Sequence, residues 1–229
     1  MVTVPTPHAI LDVQWTPNPS VLGDLLAVAT STGQLEFYRL DASGDGDLVY
    51  LSTKAVSDPS TLVLSLAWRP SRSNLIGFTL SDGSVCLCES TEGGVWSQDA
   101  VTFKTTIQQH TLEAWTLAFV GESPTNVLSG GDDCVLQYST IIDFDEHEGH
   151  WQDRKLHGAG VTAIMPLTSS LVVTGSYDDH IRLISFSRTS RRLCLAEANL
   201  GGGVWRLKTL SMNTLPVQEG IEPEISRYV

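Results

Sequence analysis

The 229-residue sequence predicts an all-β protein, a β-propeller of about four blades followed by the start of a fifth. Three observations predict this fold class. A turn followed by a strand occurs four times, apolar residues alternate within each copy, and no long segment has the period of a helix. A four-stranded unit cannot bury both faces of its sheet alone, so units that repeat every 45 to 50 residues or so are expected to stack around an axis.

The repeat is clearest at the turn before the third strand of each unit. Thr32, Asp82, Asp133 and Asp178 hold equivalent positions there. In every copy the residues three and five positions later are apolar or aromatic, which is typical of a half-buried strand after a turn. These pairs are Leu35 and Phe37, Val85 and Leu87, Leu136 and Tyr138, and Ile181 and Leu183.

Each unit is predicted to contain three clear strands and a weaker fourth. A first strand with alternating apolar residues, such as Val13 and Trp15, precedes a short apolar second strand, such as Leu25 to Ala29. The propeller domain is predicted to cover residues 1–208, with units at about 8–50, 60–100, 110–150 and 157–198 and the start of a fifth at 201–208. Residues 209–229 have no alternation and are predicted to form an unpatterned tail, so the propeller is expected to be truncated at its C-terminal end.

Composition and charge narrow the class of function. The chain has 14 Lys and Arg against 26 Asp and Glu, a formal net charge of −12. A protein that binds nucleic acid or an anionic membrane needs a basic patch, so neither partner is expected. The start of the chain has no signal-peptide pattern and no segment is apolar enough to span a membrane, which predicts a cytoplasmic protein. The four cysteines form no C-x-x-C pair, and neither a cofactor nor a metal is expected.

Candidate functional residues cluster at one predicted rim of the propeller. Connections in an antiparallel meander alternate between the ends of the sheet. The starts of the first strands at Glu113–Trp115 and Gly203–Arg206 therefore share a rim with the turns at Asp132–Asp133 and Tyr177–Asp178. His110, shortly before Glu113, is expected at the same rim.

Most of these residues also have a purely structural interpretation. Asp133 and Asp178 hold the position of a turn aspartate that bonds backbone amides or a nearby histidine, and His157 matches that histidine. Trp115 and Trp205 are equally consistent with core packing. Asp132 is an additional acid with no such structural duty, and His110 is less easily explained by one.

Several motifs resemble a known family. Ser129-Gly-Gly-Asp-Asp133 and Thr174-Gly-Ser-Tyr-Asp178 resemble the Ser-Gly-x-x-Asp turn of WD repeats, although the Trp-Asp pair that names them is missing. More specifically, a series of motifs resembles the WD-repeat diphthine methylesterase family, also called diphthine methyltransferase. The series comprises Ala9 to Pro17, His110-x-x-Glu-Ala-Trp115, the two turns above, His180-Ile-Arg-Leu183 and Gly202-Gly-Val-Trp-Arg-Leu-Lys208.

The resemblance implies an activity, a partner and site residues. Family members hydrolyse the methyl ester of methylated diphthine, the modified histidine of translation elongation factor 2, without a cofactor. The implied catalytic group is Asp132, Glu113 or His110 as a general base, with Arg206 or backbone amides stabilising the oxyanion. Trp115 and Trp205 would bind the trimethylammonium group of the substrate, with nearby carboxylates among Glu113, Asp132, Asp133 and Asp178. The alternative is a non-catalytic WD-repeat scaffold that uses the same rim to hold a protein partner.

Overall fold

The computed structural model describes residues 4–17, 24–41, 47–70, 72–91, 95–121, 125–143, 146–187 and 192–209. Within these ranges the chain forms sixteen strands and no helix. The strands make four separate four-stranded antiparallel sheets, each from four consecutive strands. The predicted all-β propeller architecture is therefore confirmed. Almost all of the predicted C-terminal tail, residues 210–229, lies outside the described ranges.

The four sheets are the four blades, and each runs in simple meander order. The first blade contains β1 (Ile10–Trp15), β2 (Leu25–Thr30), β3 (Gln34–Leu40) and β4 (Leu48–Ala55). The second contains β5 (Val63–Arg69), β6 (Arg72–Leu80), β7 (Ser84–Ser90) and β8 (Thr102–Gln109). The third contains β9 (Ala114–Val120), β10 (Thr125–Gly131), β11 (Leu136–Asp143) and β12 (Glu146–Asp153). The fourth contains β13 (Val161–Thr168), β14 (Leu171–Ser176), β15 (His180–Ser185) and β16 (Leu193–Asn199).

The first strand of every blade lies closest to the propeller axis. β1 packs beside β5, β5 beside β9 and β9 beside β13, whereas the fourth strands lie at the outside. The outer strands β4, β8 and β12 continue past the ends predicted for their units, to Ala55, Gln109 and Asp153. Their half-exposed, polar sequences explain why alternation alone did not mark their ends.

Three hydrophobic cores lie between the four blades. The first core, between the first and second blades, contains the stacked pair Phe37 and Trp96, with ring centroids 4.2 Å apart. The second core is built around Leu117 and Phe119, and the third around Tyr138. Burying a large apolar side chain stabilises a fold by about 1.5–3 kcal/mol, so these cores hold each blade to its neighbour.

Of the predicted alternating pairs, those of the first three turns lie in these cores, from Leu35 and Phe37 to Leu136 and Tyr138. The prediction fails for Ile181 and Leu183, which are only half-buried because the opposite face of β15 packs in the third core. It also fails for Val13 and Trp15, which are each 47% exposed.

The tight turns before the third strands require a left-handed backbone. Gly33 and Gly83 provide it in the first two blades, with φ of 66° and 86°. The equivalent residues of the third and fourth blades are Cys134 and Asp179, which adopt φ of 62° and 68° without being glycine. A side chain at such a position carries backbone strain, so these two turns are less relaxed than the first two.

The start of the predicted fifth unit is not a strand. Residues 203–209 have no regular secondary structure, yet the segment is anchored to the fourth blade. The Val204 backbone N–H donates to the Ser176 carbonyl at 3.0 Å, and the Thr162 hydroxyl donates to the Val204 carbonyl. The Val204 side chain lies against Gly175, where an added Cβ would meet it at 2.4 Å. This contact brings Trp205 and Arg206 to the axis of the propeller.

Candidate functional site at the propeller rim

Three aromatic rings and one carboxylate meet at the rim, and we call them the rim cluster. Trp115 is the second residue of β9, Asp132 and Tyr177 lie in the turns after β10 and β14, and Trp205 follows the anchored Val204. The ring centroids are 4.7 to 6.4 Å apart and each pair of planes is nearly perpendicular. The Trp115 indole Nε1–H donates to Asp132 Oδ1 at 3.2 Å. Trp205 is 56% exposed, so this group opens to solvent.

Two glycines allow the rim cluster to close up. A Cβ at Gly160 would lie 2.7 Å from Asp132 Oδ1 and 3.1 Å from the Tyr177 ring. A Cβ at Gly203 would also lie 3.1 Å from that ring. Burial, and then the nearby Asp132 charge, raise the pKa of Tyr177. The negative charge therefore sits against the aromatic rings, an arrangement suited to an organic cation.

His110 does not join the rim cluster. Its side chain is buried, with Nδ1 2.9 Å from Asp133 Oδ1 and Nε2 2.8 Å from the Ser129 hydroxyl. Both ring nitrogens are thus engaged inside the third blade. The expectation that His110 activates water does not fit this geometry, because a general base needs a nitrogen free to reach the water. Its role is to tie the loop before β9 to β10 and to the turn that follows.

Asp133 and Asp178 serve their turns, as the structural interpretation expected. Asp133 accepts hydrogen bonds from the Thr111 and Val135 backbone amides at 3.0 and 3.2 Å, besides His110. Burial alone would raise the pKa of Asp133, but the hydrogen bonds from His110, Thr111 and Val135 together lower it to about 2. Both oxygens of Asp133 are thus bonded to residues of the third blade outside the rim cluster.

Asp178 is held differently from Asp133. Its oxygens lie 2.8 and 2.9 Å from Arg182 Nη1 and accept the Gly158 backbone amide at 2.7 Å. Burial opposes ionisation, but the hydrogen bonds from Arg182, Gly158 and His180 outweigh it and lower the pKa of Asp178. The contacts of this carboxylate place it in the turn rather than in a substrate site.

Glu113 lies at the edge of the rim cluster rather than inside it. Its backbone carbonyl accepts the Asp132 N–H at 2.8 Å, which fixes the position of the Asp132 turn. Its half-buried side chain makes no hydrogen bond or ion pair with another described residue. The backbone of Glu113 therefore adjoins Asp132, whereas Glu113 is not among the residues that line the axial cavity. Its role as a general base stays a prediction.

Arg206 lines a cavity on the propeller axis. This axial cavity has a volume of about 450 Å³ and is bounded by the inner strands of all four blades together with Trp205 and Arg206. A smaller cavity of about 160 Å³ beside it is lined by Trp115, Trp205 and Arg206. The guanidinium of Arg206 therefore lies where the rim cluster meets the axis, and its Nη1 is 3.2 Å from Asp12 Oδ1.

Sequence reasoning missed two residues of this site. The sequence predicted only that Tyr177 lies in a turn. Its contact with Trp205 depends on how residues 203–205 fold back on the fourth blade. Asp12 lies on β1, far from the other residues in sequence. The signal that singles it out is a carboxylate at an inner-strand position where the second and third blades carry Ser65 and Thr116.

The described residues offer no group of three or more His, Cys, Asp or Glu side chains that could hold a metal ion. In the segment 143–150, where acidic and histidine residues mix, residues 144 and 145 lie outside the described ranges. Cys86 and Cys88 point to the same face, as expected of residues two apart on a strand, and both pack in the first core. No described helix is long and apolar enough to cross a membrane.

Comparison with known proteins agrees with the fold and the motifs. Residues 13–115 match the family model of the anaphase-promoting complex subunit 4 WD40 domain. A chain from a crystal structure of the mitotic checkpoint complex superposes with a TM-score of 0.64 at 20% identity, covering 89% of this chain and 55% of that one. These two findings concern the fold alone. The class of protein is therefore a β-propeller, of which residues 13–115 are similar to a WD40 domain.

A narrower likeness comes from curated relatives named diphthine methyltransferase. The Schizosaccharomyces pombe protein is 32% identical over 205 residues, and the Homo sapiens protein is 29% identical over 218 residues. A homologue so named from Dictyostelium discoideum is 31% identical over 211 residues. Each match covers 87% of this chain but only 56%, 44% and 54% of the respective relative. The chain is thus a homologue of these proteins and spans about half of their length, which confirms the resemblance seen in its motifs.

Proposed function

We propose that this chain acts in diphthamide biosynthesis, where it hydrolyses the methyl ester of methylated diphthine on translation elongation factor 2. The names of its relatives support the pathway. The observation that carries the reaction is the rim cluster, three aromatic rings around the Asp132 carboxylate, adjoining an axial cavity that Arg206 lines. Since elongation factor 2 works in the cytoplasm, that is the proposed place of action.

The rim cluster is the proposed cation site. A trimethylammonium group has no N–H to donate, so aromatic faces and a nearby carboxylate are the groups that recognise it. Trp205 offers a half-exposed ring, Trp115 and Tyr177 stand nearly perpendicular to it, and Asp132 adds the negative charge. Such a contact contributes about 0.5–2 kcal/mol, enough to orient a flexible modified histidine.

The hydrolytic step needs a base and an oxyanion site. In the proposed reaction Asp132 or Glu113 accepts a proton from a water molecule as the water oxygen attacks the ester carbonyl carbon. The carbonyl π bond opens to a tetrahedral oxyanion, which Arg206 stabilises from the axial cavity. The bond from carbon to the methoxy oxygen then breaks and the leaving oxygen takes the proton. The products are a carboxylate, a methanol molecule and a proton released to solvent.

The test is direct hydrolysis. The purified chain is incubated with elongation factor 2 that carries methylated diphthine, and loss of one methyl group from the modified peptide is followed by mass spectrometry. Wild type is expected to turn over repeatedly. Trp205→Ala is expected to lower kcat/KM about tenfold, because a ring that contacts the cation is lost. Phe103→Ala is the matched control, since Phe103 is 55% exposed on the outer strand β8, away from the cluster.

Two outcomes contradict the proposal. Full activity of Trp205→Ala would remove the rim cluster from the reaction. A folded wild-type chain that releases no methanol would favour the alternative, a non-catalytic scaffold that binds a protein partner at the rim. Binding of elongation factor 2 without hydrolysis, measured by calorimetry, separates a scaffold for this factor from an unrelated scaffold.

A further inference from the structure

Asp12 is a carboxylate buried between the first and second blades. Its side chain is only 5% exposed. One oxygen, Oδ2, accepts the Leu66 backbone N–H at 3.1 Å and lies 3.4 Å from the Ser65 hydroxyl. The other oxygen, Oδ1, faces Arg206. A buried carboxylate is destabilising unless hydrogen bonds and an opposite charge compensate it, and here both are present.

The propeller does not need a carboxylate at this position. Asp12 pairs across the sheet with Ala29, and Ala29 stands four residues before Gly33, the left-handed residue of the turn. In the second and third blades the residues with the same pairing are Ser65 and Thr116, which are small and neutral. A charged residue at one of these repeated positions therefore indicates a role beyond forming the blade.

The contact between Asp12 and Arg206 indicates what this role is. Arg206 follows the segment anchored at Val204 on the fourth blade, so its side chain crosses the axis to reach the first blade. The side chain is 60% exposed, and Asp12 is its partner among the described residues. A guanidinium has five N–H donors, and the contact with Asp12 is made by the Nη1 nitrogen. The remaining donors are held beside the cavities that Arg206 lines.

The rim cluster and this guanidinium are adjacent. Trp205 and Arg206 are consecutive residues, and both line the two axial cavities. A ligand held in these shared cavities can therefore contact both the Trp205 ring and the Arg206 side chain. The chemistry of the pair suits a ligand with a quaternary ammonium group for the rings and a carboxylate or ester for the guanidinium.

We propose that Asp12 is a positioning residue that holds Arg206 over the axial cavity as the subsite for the acyl group. The inference rests on the proposed function, since it assigns that substrate class to the same site. It adds that recognition of the acyl group depends on a residue of the first blade that does not touch the ligand. An anchored guanidinium loses less side-chain entropy when it binds an anion than a mobile one, which is the physical basis of the effect.

The test compares two small probes. Glycine betaine carries a quaternary ammonium and a carboxylate, whereas choline carries the ammonium and a hydroxyl. Binding is followed through the tryptophan indole N–H signals in NMR titrations of the wild-type chain. We expect glycine betaine to bind about tenfold more tightly than choline, as a charge-assisted guanidinium contact implies. Asp12→Ser is expected to bring the two affinities within about twofold while choline binding stays unchanged.

Asp12→Ser is chosen because the second blade carries serine at the equivalent position, so the substitution suits the fold. Asp12→Asn and Arg206→Met provide two further variants. If Asp12 acts through Arg206, the double variant Asp12→Ser with Arg206→Met loses no more preference than either single variant. A glycine betaine preference that survives in folded Asp12→Ser overturns the inference, as does full additivity in the double variant.

Hydrolysis supplies an independent readout. Asp12→Ser is expected to lower kcat at least about tenfold with KM changed less than about threefold, because the guanidinium acts mainly on the oxyanion. A purely structural role would lower the amount of folded protein without this division between kcat and KM. If wild type does not hydrolyse the ester but the probe preference is present and lost in Asp12→Ser, the proposed reaction fails while the positioning role stands.

Discussion

The third and fourth blades each place a histidine, a hydroxyl residue and an aspartate at the same turn and connect them differently. In the third blade His110 bonds both Ser129 and Asp133, which closes a network among three buried side chains. In the fourth blade His157 bonds the Thr174 hydroxyl at 2.8 Å, but its Nδ1 has no partner among the described residues. The carboxylate that would meet it, Asp178, is taken by Arg182.

The difference shows how one added residue redirects a repeated motif. Arg182 is four residues beyond Asp178 and offers a permanent positive charge, which competes better for a carboxylate than a neutral imidazole does. The third blade has Gln137 at the corresponding distance from Asp133, so the aspartate remains with the histidine. The motif alone therefore does not specify the network, because a residue on the neighbouring strand decides it.

The largest expected effect breaks the closed network of the third blade. Asp133→Ala leaves His110, Thr111 and Val135 without their acceptor inside a buried turn. We expect the free energy of unfolding to fall by about 3 kcal/mol, measured by urea denaturation at pH 7. Asp132→Ala is the control at the neighbouring position. The Asp132 carboxylate accepts the Trp115 indole N–H in a half-exposed cluster, so its loss should cost less than about 1 kcal/mol. Equal losses in the two variants would refute the distinction.

The next effect is a pH dependence specific to the fourth blade. Burial, and then the Arg182 charge, lower the pKa of His157 to about 4. Below the ordinary histidine pKa of about 6.5 the unfolded chain gains a proton that the folded chain does not, so stability is lost as pH falls from about 6.5 toward 4.

This loss should amount to about 2 kcal/mol between pH 7.5 and pH 5 in urea denaturation. His157→Gln, which cannot titrate, is expected to remove that component. Asp133 adds little in this range, because, with a pKa of about 2, it stays ionised in the folded state and is mostly ionised in the unfolded chain above pH 5. An unchanged pH profile in His157→Gln would show that His157 is not the group that titrates.

The smallest effect compares the left-handed turn residues of the two blades. Cys134→Gly should stabilise the chain by about 1 kcal/mol, since glycine adopts this conformation without strain. Asp179→Gly should gain less, about half as much, because aspartate tolerates the left-handed region better than most residues. Melting temperatures of the two variants measure the difference, and destabilisation by Cys134→Gly would indicate a packing role for the Cys134 side chain.

The inner parts of the blades could be predicted from sequence, and the reason is the two-residue period. Leu35 and Phe37, for example, were expected to face a core and both are fully buried there. The outer strands could not be bounded, because residues such as those of β8 are half exposed and carry little alternation. The expected strand at 201–208 is not formed, because a strand needs a neighbouring strand along its length. Val204 is bonded to Ser176 and Thr162, but no described strand runs alongside residues 203–209.

The site could be predicted as far as topology alone decides it. Trp115, Asp132 and Trp205 were assigned to one rim from the alternation of connections, and the structure brings them together. Whether His110 or His157 is engaged by its aspartate depends on Arg182, which the motif does not include. Asp12 and Tyr177 join the site only through distances across the axis and between blades, which no local pattern encodes.

The ion pair between Asp12 and Arg206 joins the first described strand to the last described segment. These residues are about 190 positions apart in the chain, and the entropy lost in closing a loop grows only with the logarithm of its length. We nevertheless expect such a contact to form late in folding, because the intervening sheets have to stack in register before the two ends meet. The acyl subsite would then be absent from partly folded chains. Binding of a carboxylate probe would therefore detect only molecules in which all four blades have folded and stacked.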